Sequence, residues 1–421
     1  MTNKKLEMTA GSDLELINDS MPTERILEIT VTAPQGSAAH RQKLNLSLVI
    51  DRSGSMGGSK IEYAKQAAAH VLDLLNQDDR VSVITFDDVV STLAEATQVT
   101  PQARREIQER IRTIRPGGST NLGEGWLTGC NQIASSLATD TLNRSLLLTD
   151  GHANVGITGI EELGTHARQL NQRGVSTSTF GIGEGYQEFL LEQMANLGGG
   201  NFYYIETPQL IPDIFARELN EVLSVTARGV EISIEIPKKA NISVVGDWRF
   251  EQGKDTLRVI LGDLSSNMQR TLYFKALLPP KDKKGDIELK IKAIARDEND
   301  QVQEIVKTIQ FRYEDPAVIR AAKPEKELME RFSGVALAKI TSDALKLDRD
   351  GRHAEAEKLM DMGITSYAAC MPAPAASQFR QIADQIKYGM NETQRKVNHR
   401  DMYQMKQNRM RDIDTKDKEE K

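Results

Sequence analysis

Three short segments of the chain carry hydroxyl and carboxyl side chains at a spacing suited to metal chemistry. In Asp51-Arg52-Ser53-Gly54-Ser55 the aspartate and the two serines alternate, so an extended loop can direct three oxygen ligands at one point. Thr120 lies in the glycine-rich segment 117–123, and Asp150 is followed by a glycine. Oxygen ligands suit a hard cation such as Mg²⁺. If the segments meet, they form one cation site.

The elements around these segments alternate between strand and helix patterns. Buried strands are predicted at 44–51, 79–88, 145–150, 175–183 and 201–206. Helices are predicted at 61–75, 101–114, 122–137, 160–174, 186–197 and 212–225. This alternation predicts an α/β fold with a doubly wound, mostly parallel sheet and helices on both faces. Ligands bind such sheets beyond the carboxyl ends of the strands, where the three segments should meet.

The motifs DRSGSM, GGSTNLGEG and LLLTDG, in this order and on these elements, resemble the von Willebrand factor type A (VWA) domain. The resemblance covers residues 42–225. The metal-ion-dependent adhesion site of that family has five positions, and this sequence matches all of them, with Asp51, Ser53, Ser55, Thr120 and Asp150. The resemblance implies a Rossmann-like sheet and a bound Mg²⁺, with Mn²⁺ or Ca²⁺ as alternatives.

The resemblance also implies a role for each ligand and for the site. Ser53, Ser55 and Thr120 would contact the metal directly, whereas Asp51 and Asp150 would act largely through waters or from the second shell. A metal held in this way keeps an open position, and the family uses it to bind an acidic side chain of another protein. The implied partner is therefore a protein that supplies an Asp or Glu.

The regions that flank residues 42–225 have different patterns. Strict alternation of apolar and polar residues predicts an antiparallel β-sandwich over 226–315. In the N-terminal segment 1–41, residues 26–34 alternate as well and should join that sandwich as a strand. Residues 316–421 are predicted to be helical, with a hairpin around Asp348-Arg349-Asp350-Gly351 and a final helix over 377–411. The basic, methionine-rich end of that helix suggests docking, although an acidic partner or a membrane surface remains an alternative.

Composition restricts the class of protein. The chain has 421 residues with 54 Lys and Arg against 60 Asp and Glu, so its net charge of −6 argues against nucleic-acid binding by bulk charge. Two cysteines, Cys130 and Cys370, exclude a disulfide scaffold. No apolar stretch has the length of a membrane span, and no signal segment is recognisable. These features predict a cytoplasmic protein.

The sequence favours a non-enzymatic, metal-dependent protein-binding module that acts as an intracellular scaffold or adaptor. The resemblance to stand-alone bacterial VWA proteins implies AAA+ ATPases of the MoxR type as one class of partner. A metal-dependent hydrolase or phosphoesterase is an alternative, but a two-metal site needs more carboxylates than Asp51 and Asp150, unless Asp87 or Asp88 turns inward. A cell-surface adhesin is a third hypothesis for the function. Cys130 is interpreted as a packed thiol rather than a nucleophile.

Overall fold

The computed structural model describes residues 5–36, 41–138, 141–281, 285–297 and 299–407. The chain divides into two compact units, one from Met1–Gly36 and Thr226–Lys421, the other from Ser37–Val225. The second unit is therefore an insertion, in chain order, between the two segments of the first.

The elements are numbered along the chain. The strands are β1 (Glu7–Ser12), β2 (Leu16–Asn18), β3 (Thr23–Thr32), β4 (Lys43–Asp51), β5 (Arg80–Phe86), β6 (Val90–Gln98), β7 (Thr141–Thr149), β8 (Val175–Ile182), β9 (Gly199–Ile205), β10 (Val225–Glu235), β11 (Asn241–Val245), β12 (Arg249–Gln252), β13 (Thr256–Ser265), β14 (Gln269–Leu278), β15 (Ile287–Arg296) and β16 (Val302–Glu314). The α-helices are α1 (Ser59–Leu74), α2 (Pro101–Arg112), α3 (Leu122–Ala134), α4 (Ile160–Gln172), α5 (Glu188–Leu197), α6 (Ile211–Leu223), α7 (Pro316–Ala321), α8 (Lys326–Arg349), α9 (His353–Tyr367), α10 (Ala373–Tyr388) and α11 (Glu392–Lys406).

The inserted unit is the predicted α/β fold. Its sheet has the order β6-β5-β4-β7-β8-β9, and every neighbouring pair except β5 with β6 is parallel. The predicted fold class is therefore confirmed. The antiparallel edge strand β6 was not predicted, because its sequence VSTLAEATQ has little of the apolar character of a buried strand.

Helices cover both faces of this sheet. On one face α1, α2 and α6 share one apolar core with alternate residues of β4, including Leu46 and Leu48. On the other face α3 lies very close to the strands, because a Cβ on Gly125 would come within 2.6 Å of Phe86 and one on Gly129 within 2.4 Å of Val49. These two glycines, one helical turn apart, let the start of α3 approach the carboxyl ends of the strands.

The other unit contains two β-sheets with an apolar interior between them. The strand orders are β1-β3-β14-β11 and β12-β13-β10-β15-β16-β2. The neighbours within the first sheet, β12 with β13, β10 with β15 and β15 with β16 pair antiparallel, whereas β2 pairs with β16 in parallel. Strand β3, expected at 26–34, pairs with β14 along its whole length. The sandwich thus uses strands from both chain segments, which is why Leu27, Ile29 and Val31 alternate like the strands after residue 226.

The C-terminal region is helical, but the prediction of one final helix over 377–411 is wrong. The chain forms α10 and α11 instead, because Gly389 adopts a φ of 97° and Asn391 caps α11 in a reciprocal capping box with Gln394. Met402, Tyr403 and Lys406 of α11 are buried, which supports docking of the described part of the methionine-rich segment, and residues 408–421 lie outside the described residues. Among the described helices, none combines the length and the apolar character that crossing a membrane requires.

Candidate metal site

The first segment of the candidate site follows β4 directly. Asp51 is the last residue of that strand and is completely buried, and its Oδ1 accepts a hydrogen bond of 2.7 Å from the Ser53 amide. A short 3₁₀ turn, Gly54–Met56, follows, and the buried Met56 anchors it. The Ser53 and Ser55 hydroxyl oxygens lie 3.2 Å apart. The predicted alternation therefore brings these two hydroxyls to neighbouring positions.

The second segment, which carries Thr120, is joined to the first by backbone hydrogen bonds. The Gly117 amide donates to the Arg52 carbonyl at 2.8 Å, and the Gly54 amide donates to the Gly118 carbonyl at 3.1 Å. Thr120 is buried, and its amide donates to Asn154 Oδ1 at 2.9 Å. The position of Thr120 is thus fixed from both sides.

The third segment follows β7 and connects directly to the first. The Thr149 hydroxyl donates to Asp51 Oδ2 at 2.5 Å. The Ser55 hydroxyl donates to Asp150 Oδ1 at 2.7 Å. The other carboxylate oxygen of Asp150 pairs with the ammonium group of Lys60, which lies in the first turn of α1. Asp150 is therefore already held by one hydroxyl and one cation.

Gly151 shows how closely the three segments meet. A Cβ at this position would lie 3.2 Å from Thr120 Oγ1, 3.7 Å from Asp51 Oδ2 and 3.8 Å from Ser55 Oγ. One small space is thus bordered by oxygens of the first and second segments and by Gly151 of the third, and a side chain at position 151 would enter it. The structure brings all five predicted residues to this end of the sheet. Hydroxyl and carboxylate oxygens around one space fit a hard divalent cation.

The charge of Asp51 has no cationic partner among the described residues. Both of its oxygens are held by neutral donors, the Ser53 amide and the Thr149 hydroxyl. Burial raises the pKa of Asp51 to about 6, with a smaller contribution from the nearby Asp150 carboxylate. A buried carboxylate of this kind favours the approach of a cation.

The other candidate groups have structural roles. Asp87 pairs with Arg52 at 3.0 Å and accepts from the Val89 amide at 2.8 Å, so it caps its turn as expected, while Asp88 is exposed. Within the described ranges, no cluster of three or more His, Cys, Asp or Glu side chains could hold a metal. Cys130 is a buried free thiol, and burial raises its pKa to about 12.

Sequence reasoning missed three residues that position the site: Lys60, Thr149 and Asn154. Each looks unremarkable in the sequence, as a helical lysine, a strand threonine and a loop asparagine. Only the fold shows that they contact Asp150, Asp51 and Thr120. A weak signal existed for Thr149, because it directly precedes Asp150 at the end of a buried strand.

Comparison with known proteins identifies the family of the inserted α/β unit. Residues 45–217 match the model of the von Willebrand factor type A domain. The chain is 29% identical over 321 residues to protein sll0103 of Synechocystis, a match that covers 73% of this chain and 70% of that protein. It is 26% identical over 264 residues to YfbK of Escherichia coli, covering 60% of this chain and 45% of YfbK.

Two solved structures share the fold over most of the chain. A von Willebrand factor type A protein from Catenulispora acidiphila aligns with a TM-score of 0.68 and 16% identity, covering 86% of this chain and 87% of that one. The ArnB paralog VWA2 from Sulfolobus acidocaldarius aligns with a TM-score of 0.63 and 18% identity, covering 96% and 98%. Residues 45–217 therefore form a von Willebrand factor type A domain, and domains of this family mediate protein–protein interactions.

Proposed function

We propose that this protein binds a partner protein through a divalent cation held by Asp51, Ser53, Ser55, Thr120 and Asp150. The observation that supports the proposal is the space beside Gly151, which the side-chain oxygens of Asp51, Ser55 and Thr120 border. Mg²⁺ is the proposed metal, with Mn²⁺ or Ca²⁺ as alternatives, because the ligands are all oxygens. The partner supplies an Asp or Glu side chain.

The hydroxyl and carboxylate side chains would have different roles in binding the cation. Ser53, Ser55 and Thr120 would hold the cation directly. Asp150 orients the Ser55 hydroxyl by accepting its hydrogen bond at 2.7 Å, which leaves a lone pair of the serine oxygen free to bind the cation. Asp51 adds negative charge from a position fixed by the Ser53 amide and Thr149. When bound, the cation would supply an electrophilic position that a partner's carboxylate can occupy.

We further propose that the protein works in the cytoplasm as a scaffold or adaptor, with an AAA+ ATPase of the MoxR type as one class of partner. The support is the family resemblance together with bacterial relatives such as YfbK. Fractionation of the source cells tests the location. Recovery from the cell surface would favour the adhesin alternative instead.

The central experiment is a pulldown from source-cell lysate in Mg²⁺ and in EDTA, with direct titration of Mn²⁺ by electron paramagnetic resonance beside it. We expect wild-type protein to retain a partner only with metal, and both Asp51→Ala and Thr120→Ala to lose it while remaining folded. Asp88→Ala is the matched control, because Asp88 is an exposed acid next to the same segments. A partner retained equally in EDTA and in Asp51→Ala would contradict the proposal.

A further inference from the structure

Lys60 places a positive charge directly against the candidate metal site. Its ammonium group forms an ion pair with Asp150 Oδ2 and donates to the Ser55 carbonyl oxygen at 3.3 Å. The Asp150 side chain has no exposure to solvent, whereas that of Lys60 is 29% exposed. A buried carboxylate is thus neutralised by a cation that can withdraw into solvent.

The position of Lys60 has no explanation in helix formation. It is the second residue of α1, where the helix macrodipole favours acidic rather than basic side chains. Its Cε lies 4.0 Å from the position of a Cβ on Gly183, so its stem reaches towards the segment after β8. The position of Lys60 in the first turn of α1 instead allows it to form the ion pair with Asp150.

The two aspartates of the site therefore differ in how their charge is balanced. Asp51 is held by neutral donors, and Asp150 by Lys60. Removing Lys60 would leave two buried carboxylates with no cationic partner among the described residues. Like charges at close range destabilise each other, so the site without metal needs a counter-charge.

We propose that Lys60 is an internal counter-ion of the site. It pairs with Asp150 when the site has no metal, and it competes with the metal for the negative charge of the Asp150 carboxylate. This inference rests on the proposed function. Lys60 keeps the ligand loops assembled without metal and lowers the affinity for metal, because a positive charge next to the site opposes the binding of a second cation. The site would then exchange its metal readily instead of holding it permanently.

The test is metal titration of Lys60→Met, which keeps the length of the side chain and removes its charge. We expect Mn²⁺, followed by electron paramagnetic resonance, to bind about tenfold more tightly than to wild type, a change of about 1.4 kcal/mol. In EDTA the variant should unfold at a lower temperature than wild type, and added metal should abolish this difference in unfolding temperature. Lys65→Met is the matched control, since Lys65 lies on the same helix and pairs with Glu62 at 2.9 Å.

The outcomes separate the two proposals. If wild-type protein binds no metal, the proposed function itself fails. If wild type binds metal and Lys60→Met binds it equally or more weakly, only the role of Lys60 fails. Lys60→Arg keeps the charge and should retain the wild-type affinity within a few-fold, and Lys60→Gln replaces the methionine variant should that one not fold.

Discussion

Two buried aspartates of this protein begin the same sequence pattern, Asp-Arg-x-Gly, and have different surroundings. Asp51 begins Asp51-Arg52-Ser53-Gly54 at the end of β4, and Asp348 begins Asp348-Arg349-Asp350-Gly351 at the end of α8. Their exposed fractions are 0% and 2%. Sequence pattern and burial therefore do not distinguish the two residues.

The difference lies in the charge of the groups that hold each carboxylate. Asp348 lies 2.9 Å from the Nε of Arg395 and 2.7 Å from the Nδ1 of His353, so side chains from α11 and α9 satisfy it. Asp51 has only neutral donors, an amide and a hydroxyl. A buried aspartate paired with arginine joins helices, whereas one held by neutral donors keeps a charge that can attract a cation.

The largest expected effect comes from Asp51→Asn, which preserves shape and removes the charge. Mn²⁺ affinity should fall at least about 100-fold, or about 2.7 kcal/mol, because the amide cannot balance the cation. The free energy of unfolding without metal should stay within about 1 kcal/mol of wild type, since no ion pair is broken. Metal titration and urea unfolding measure both quantities. Wild-type metal affinity in this variant would show that Asp51 is a structural residue like Asp348.

The sequence alone indicated where the two aspartates lie, but not which groups hold their carboxylates. The residues of the candidate site could be named because strand ends and the order of the motifs bring Asp51, Thr120 and Asp150 together. The turn at Asp348 could be predicted as well, since Arg352 and His353 occupy positions where a calcium loop needs oxygens. The partners could not be named, because Arg395 is far along the chain from Asp348 and only helix packing brings the two together.

The secondary structure was also only partly predictable from the sequence. Periodicity predicted the parallel strands, since their apolar runs are buried on both faces. It missed β6, which is at an edge and largely polar, and it merged α10 with α11. The second error was avoidable, because Asn391 and Gln394 have the spacing of a capping box directly after Gly389.

The second prediction addresses the other aspartate. Asp348→Asn should lower the free energy of unfolding by about 2 kcal/mol, because it removes the buried carboxylate of the Arg395 ion pair and leaves Arg395 only its longer contact of 3.5 Å with Glu392. This loss of stability is smaller than the loss expected for a fully buried ion pair, because the Arg395 and His353 side chains are 23% and 62% exposed. Metal affinity should not change. Urea unfolding measures the first effect and Mn²⁺ titration the second. A loss of metal binding without a loss of stability would show that Asp348 belongs to the metal site and is not a structural residue.

The smallest expected effect concerns the neutral donors themselves. Thr149→Val removes the hydroxyl that donates to Asp51 Oδ2 and keeps the shape of the side chain. Residues that orient metal ligands typically affect affinity by 10- to 100-fold, and because the Ser53 amide still holds Asp51, we expect about tenfold weaker Mn²⁺ binding. Thr179→Val is the matched control, since the Thr179 hydroxyl is equally buried in β8 but donates to the Leu191 carbonyl at 2.8 Å. If both variants bind metal like wild type, burial rather than neutral hydrogen bonding prepares Asp51 for a cation. If only Thr149→Val weakens binding, the neutral donors are what separates Asp51 from Asp348.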